Sequence, residues 1–319
     1  MPTLIQHPCP TKFAADMVDL VISSDDTIDF LLQTSDGTSI LQEKYNPANA
    51  TIRIGGLPRV INTVLYGQLI EEGGQDHISA SFSFLVDGQP IIPDVRLYAA
   101  HLQNPLDPSG LFTLLSPSRQ DVCHPSFPHP LTFLSTTTAT LFALDGTTLN
   151  TAQVGSSVSP YTANCDPEQL FPANFYKAAC IVYQGGGDRF ISHIDHRSYP
   201  DATLFIYLNR YDAPETLLAR TPLSVKPSTV DDTALVDGVE QRFSCQPDDE
   251  YTASSGALFS PSEYYQWRDL VRSRRVAVLN EGQWTPIVVK KASFSHNLKG
   301  AALDNVSFQF KLANPRQIL

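Results

Sequence analysis

Four Asp-Gly pairs punctuate this chain: Asp36-Gly37, Asp87-Gly88, Asp145-Gly146 and Asp237-Gly238. Each lies between, or at the end of, runs that alternate apolar and polar residues or are dense in β-branched ones. Glycine takes positive φ at no steric cost and Asp tolerates it, so such a pair closes a tight hairpin turn whose twist matches its strands. Ile28, Phe30 and Leu32 fall on one face ahead of Gly37, and Ile40-Leu41-Gln42-Glu43 follows it. Ser79 to Val86 alternates up to Asp87, and a partner strand is expected over 91–99. A third early strand covers 50–54. In the C-terminal third, strands are expected over 202–208, 276–279, 285–290 and 306–312, with a hairpin over 235–243. The repeated signal predicts a mainly β protein, built of antiparallel β-sandwich-like domains with a few short helices.

Two helices are expected, roughly over 58–70 and 262–273. In the first, Leu57, Val60, Ile61, Val64, Leu65 and Leu69 recur at helical spacing, Pro58 suits the first turn and Gly73-Gly74 the stop. In the second, Ser260-Pro261-Ser262-Glu263 is a capping box with proline at the first helical position. A further short helix is expected at Asp166 to Leu170. A single strand is expected over 132–144, and 150–176 carries little pattern. The stretch 101–130 holds six of the 24 prolines and reads as a long loop or junction. It also carries Leu111, Phe112, Leu114, Leu115 and Phe127, which a solvated loop does not need. The expected organisation is a β domain over 1–100, a Pro-rich junction and middle β region over 101–200, and a β domain with one capped helix over 201–319.

The formal charge of −11 disfavours a phosphate backbone as partner, so no nucleic acid is expected. Arg268, Arg272, Arg274 and Arg275 form a local basic patch, with Asp269 inside it, and read as a partner-facing or salt-bridged helix end. The five cysteines (Cys9, Cys123, Cys165, Cys180 and Cys245) are scattered, with no zinc spacing, although a Cys165–Cys180 bridge is conceivable. MPTLIQHPCPTKF has no basic region followed by an apolar stretch, and no apolar run is long enough for a membrane helix. Synthesis in the cytoplasm without a signal peptide and no membrane insertion are therefore expected.

The search for chemistry is negative. Gly185-Gly186-Gly187 lacks the Lys-Ser/Thr of a phosphate loop and reads as a turn. His193, Asp195 and His196, with His129 or Asp201 as further ligands, are the best metal candidate, but strand geometry sends His196 to the opposite side. Cys123-His124 are merely adjacent. Asp231-Asp232 and Asp248-Asp249-Glu250 read as solvated carboxylates, and Asn49-Ala50-Thr51 and Asn305-Val306-Ser307 are glycosylation patterns that need export to matter. No catalytic, cofactor-binding or metal residue is assigned, no cofactor is expected, and the chain is read as no enzyme.

The order Leu208-Asn-Arg-Tyr-Asp-Ala-Pro-Glu-Thr216, Val236-Asp-Gly238, Tyr251-Thr-Ala-Ser-Ser-Gly256, Trp267-Arg-Asp-Leu270 with Ser273, and Trp284-Thr-Pro-Ile-Val-Val289 resembles tail- and baseplate-associated structural proteins of Bacteroidales-type prophages. Ile28-Asp-Phe-Leu-Leu32, Ile40-Leu-Gln-Glu43 and Tyr45-Asn-Pro47 resemble their opening strands. The resemblance implies a virion structural protein of the tail or baseplate, with other tail proteins and copies of itself as partners, and carries over no site residue. The alternative is a carbohydrate-binding or adhesive β-sandwich protein that meets a surface glycan.

Overall fold

The structure is a computed structural model that describes residues 2–101, 114–156, 160–237, 239–258, 260–295 and 305–313. It is mostly strand, arranged in several sheets that are antiparallel almost throughout. The hairpins at the Asp-Gly pairs are present. Ile28–Thr34 pairs with Ser39–Tyr45, and Ser79–Val86 with Gln89–Tyr98; together they make one four-stranded sheet. Asp87 and Gly88 both hold positive φ, at 50° and 76°, as that turn requires. The second sheet, Thr3–Gln6, Leu20–Ser23 and Thr51–Ile54, faces the first across a shared core. That core holds Phe30, Leu32, Phe82 and Phe84 from one sheet and Leu20, Ile22, Ile52 and Ile54 from the other.

The first helix, α1, is shorter than its apolar spacing predicts: Leu57–Val64 only. Leu57 and Ile61 enter the core as expected, but Leu65 is already extended. The stop is tertiary. The Tyr66 amide donates to the His77 carbonyl, and the Gln68 amide to Gln75 Oε1, so backbone groups that would extend the helix bond instead to 75–77. Gly67 then lies so close to the Asp212 carbonyl that a Cβ would sit 1.6 Å from its oxygen.

The single strand expected over 132–144 is two strands in two sheets. Pro130–Phe133 pairs with Tyr161–Asn164, which also takes Gly73–Gly74. Thr137–Ala143 lies in a five-stranded sheet between Thr148–Val154 and Ala178–Gly185, which continues through Asp188–Ile194 to Gln120–Cys123. The chain steps from one sheet to the other at 134–136, where Thr137 Oγ1 donates to the Ser135 carbonyl. Between these sheets Leu131, Phe133, Leu141, Ile181 and Tyr183 form a second core. The weakly patterned 150–176 thus contains most of one strand, all of another, and the helical turn α2, Pro167–Leu170, capped by Asp166.

The third core lies under a seven-stranded sheet with the order Pro214–Ala219, Thr203–Leu208, Val276–Asn280, Gln283–Ser295, Asn305–Leu312, Glu250–Ser254, Ser224–Lys226. Helix α3, Pro261–Arg272, runs where the capping box predicts, with Ser260 Oγ accepting from the Glu263 amide. It buries Trp267 completely against Phe205 and Phe308. Thr229–Val236 and Val239–Pro247 form a separate two-stranded ribbon. Cys165 and Cys180 are both free thiols, so the conceivable bridge is not formed. Of the apolar residues noted in 101–130, Leu114 and Leu115 are buried, whereas Leu111 and Phe112 lie outside the described residues.

One loop touches all three cores. It joins Thr203–Leu208 to Pro214–Ala219, and the buried Asn209 organises it. Asn209 Oδ1 accepts from the amides of Tyr211 (2.8 Å) and Ala213 (3.2 Å). Its Nδ2 donates to Glu215 Oε1 and to the carbonyl of Leu115, whose side chain lies in the first core and whose amide bonds the Thr132 carbonyl of the middle sheet. Tyr211 and Ala213 are thereby set into the first core, with the Tyr211 ring 5.2 Å from that of Phe13. Asn209→Ala strands several buried donors and acceptors at about 1–3 kcal/mol each, so a loss of about 3 kcal/mol or more is expected. Urea unfolding followed by tryptophan fluorescence measures it; a loss under 1 kcal/mol would contradict this role.

Candidate functional site

The residues singled out for metal chemistry do not converge. Asp195 is taken up by Arg197 (2.9 Å) and the Tyr199 hydroxyl (2.8 Å), and these contacts hold its carboxyl below the usual range even though burial opposes them. His196 Nε2 bonds the Ala178 carbonyl at 2.7 Å, and His193 is exposed. Among the described residues no group of three or more His, Cys, Asp and Glu side chains is placed to hold a metal ion. Gly186 and Gly187 close the hairpin between Ala178–Gly185 and Asp188–Ile194. Asp231 pairs with Arg242 and Asp248 with Lys311. Asp249 Oδ1 accepts from the Ser228 amide.

A constellation the sequence reading missed sits between the middle core and the seven-stranded sheet. Asp121, His129 and Ser192 are all buried, from segments separated along the chain. His129 Nε2 lies 3.1 Å from Asp121 Oδ2 and 3.2 Å from Ser192 Oγ. A Ser-His-Asp relay needs serine and aspartate on opposite ring nitrogens, so that a proton taken on one side is balanced on the other. Here both share one nitrogen, which suits a single Nε2–H donated to two acceptors. Burial opposes charge on the ring, but the adjacent Asp121 carboxylate, helped by Glu215 and Asp166, outweighs this and raises the His129 pKa above its ordinary 6.5. Glu215 accepts from the Tyr207 hydroxyl (2.7 Å) and from Asn209, yet burial still raises its pKa. Burial likewise raises Asp166, despite the helix amides it caps. The arrangement is a structural polar knot.

The second feature is an open cavity of about 1370 Å³ between α1, the start of α3 and the 117–120 segment. Five of the chain's fourteen arginines line it: Arg59, Arg119, Arg210, Arg268 and Arg274. Arg210 pairs with Asp269 at 3.0 Å and Arg274 with Asp212 at 2.7 Å, so the salt-bridged helix end expected from 268–275 is present. Arg268 lies over the Tyr265 ring at 5.5 Å, and its Nε has no hydrogen-bond partner. Gln266, also on the wall and 3% exposed, has an unpartnered Oε1. No sequence motif marks this cavity, because its arginines come from four separate stretches.

The third feature is the ribbon. Neither strand pairs outside it among the described residues, and every described side chain from Thr229 to Arg242 is exposed. Leu235 and Val239 are 75% and 61% exposed beside the turn. No helix of the described residues is long and apolar enough to cross a membrane.

No protein-family description matches the sequence, and no curated protein matches it. Among solved structures, the chain is similar to a chain of the virion of a native gene transfer agent particle, at 15% identity and a TM-score of 0.25. The likeness covers 37% of this chain and 95% of that one. A chain of the tail of an empty gene transfer agent particle, refined with C6 symmetry, gives 14%, 0.26, 37% and 95%. Likenesses this loose carry no argument about fold or function.

The knot carries a pH dependence. His129, Glu215 and Asp166 each bind a proton more tightly in the folded chain, so the folded state holds more protons and stability falls as pH rises. The His129 contribution is fully present below pH 6.5 and is lost as pH climbs through the raised value. His129→Gln is expected to flatten the fall above pH 6.5 and, by leaving Asp121 charged and unpaired, to cost roughly 3–5 kcal/mol. Urea midpoints across a pH series check both, and an unchanged slope in the variant would refute the buried imidazolium.

Proposed function

We propose that this chain is a non-enzymatic structural subunit of a phage-like tail, at or near the baseplate, working through contacts with other tail proteins and with copies of itself. The observation that carries the assembly role is the projecting ribbon. A lone two-stranded hairpin is marginal in water, and strands exposed on both faces invite a partner. A ribbon that presents Leu235, Val236 and Val239 to solvent suits a chain that is completed by a neighbour. The geometry of the polar knot supports the non-enzymatic part, since its serine and aspartate compete for one nitrogen. The tail assignment, and the prophage setting within it, rest on the resemblance carried by Leu208 to Thr216 and the motifs that follow it.

Among the described residues, replacing 230–246 by a short turn removes no side chain of the three cores. The shortened chain is expected to fold with an unchanged unfolding midpoint and to be lost from purified particles. Mass spectrometry of particles produced by the chain's own gene cluster, with the full-length and shortened chains, measures this. Absence of the full-length chain from those particles defeats the tail reading, and normal incorporation of the shortened chain defeats the role given to the ribbon.

A further inference from the structure

We infer that the arginine-lined cavity is the receptor for the acidic ribbon of a second copy of this chain, so that copies join head to tail. The inference rests on the assembly role proposed above and names its contact.

The walls of the cavity specify the occupant. Arg268 lies on the wall with Arg59, Arg119, Arg210 and Arg274, and arginine binds carboxylates with a fork geometry that lysine lacks. The cavity is therefore matched to a carboxylate-bearing occupant. Size points the same way: about 1370 Å³ exceeds the 300–1,000 Å³ usual for small-molecule pockets.

The ribbon has the complementary chemistry. From Thr229 to Arg242 it carries Asp231, Asp232, Asp237 and Glu240 against one arginine. Arg242 is committed to Asp231 at 2.5 Å, and exposed Asp237 and Glu240 flank the turn beside Leu235 and Val239. Its outer backbone edges are unpaired by any other strand among the described residues. It does not fill the cavity of its own chain, since its described side chains are exposed. The ribbon leaves from the Ser224–Lys226 edge of the seven-stranded sheet, whereas Arg210 and Arg274 flank Thr203–Leu208 and Val276–Asn280, four to five strands away. At about 4.8 Å per strand this separates the two features by roughly 20–25 Å. A patch and its complement on different faces make a heterologous contact, which closes into a ring or runs on as a filament.

The test uses the full-length chain with a photo-cross-linking amino acid replacing Val239. Interchain adducts are expected at peptides containing Arg59 or Arg268. They should drop about tenfold or more in a cavity variant, Arg59→Glu with Arg268→Glu, and in a ribbon variant, Asp237→Lys with Glu240→Lys. Mixing the two variants should restore the adducts, because the native ribbon of one then meets the native cavity of the other. Arg59→Glu alone serves if the double cavity variant does not fold. Adducts that map elsewhere, survive in the cavity variant, or are absent at millimolar chain concentration overturn the inference. So does tight binding of inorganic polyphosphate by the cavity with no adduct at position 239. If the chain is present in particles and the adducts fail, the assembly role stands and only this contact falls.

Discussion

The side chain of Asn209 is the constraint on which the architecture depends. A single buried amide fixes a loop of left-handed and extended residues, with Asp212 at a φ of 55°, and that loop joins what would otherwise be three separate cores. Tyr211 and Ala213 go to the first core, Leu115 is held where its amide bonds the Thr132 carbonyl of the middle sheet, and the flanking strands belong to the third. An unpaired amide in such a place is costly, so the loop has one arrangement or none. The same loop positions charge. Arg210 reaches Asp269 on α3, Asp212 holds Arg274 and His101, and Glu215 leads into the polar knot. The loop thus reaches both the arginine cavity, through Arg210 and the Arg274 partner Asp212, and the polar knot around His129, through Glu215.

Much of the strand pattern was legible because its signals are local. Asp-Gly turns act through the φ of two residues, and the alternation of Val306, Phe308 and Phe310 needs only the pleat to place all three in the core. The capping box of α3 was legible for the same reason. The end of α1 was not, because the competing partners of 66–68 lie in 75–77 and at Asp212. The break in 132–144 was hidden because Thr, Leu and Phe run through both halves, so composition does not change where the chain changes sheets.

The sites were less legible than the fold. His129 was noticed only as a possible metal ligand, and its true neighbours, Asp121 and Ser192, lie on strands that the pattern did not bring together. Two of the cavity arginines fell in the 268–275 patch, but Arg59, Arg119 and Arg210 arrive through tertiary structure. The ribbon was recognised as a hairpin over 235–243 and is longer, Thr229 to Pro247. A ribbon solvated on both faces has no reason to alternate, so periodicity does not reveal its length.

Gln120–Cys123 runs parallel to Asp188–Ile194, the one parallel pairing between strands among the described residues. Its partners are distant along the chain: Cys123 and His193 lie 70 residues apart. Hairpins such as 79–98 can zip from their turns in microseconds, but this edge closes only after the intervening strands have formed a surface to receive it. Asp121 rides on that late strand, so the carboxylate that raises the His129 pKa arrives only at closure. Until then the main offset to the burial that opposes charge on His129 is missing, and proton uptake there becomes a kinetic marker for the last steps of folding.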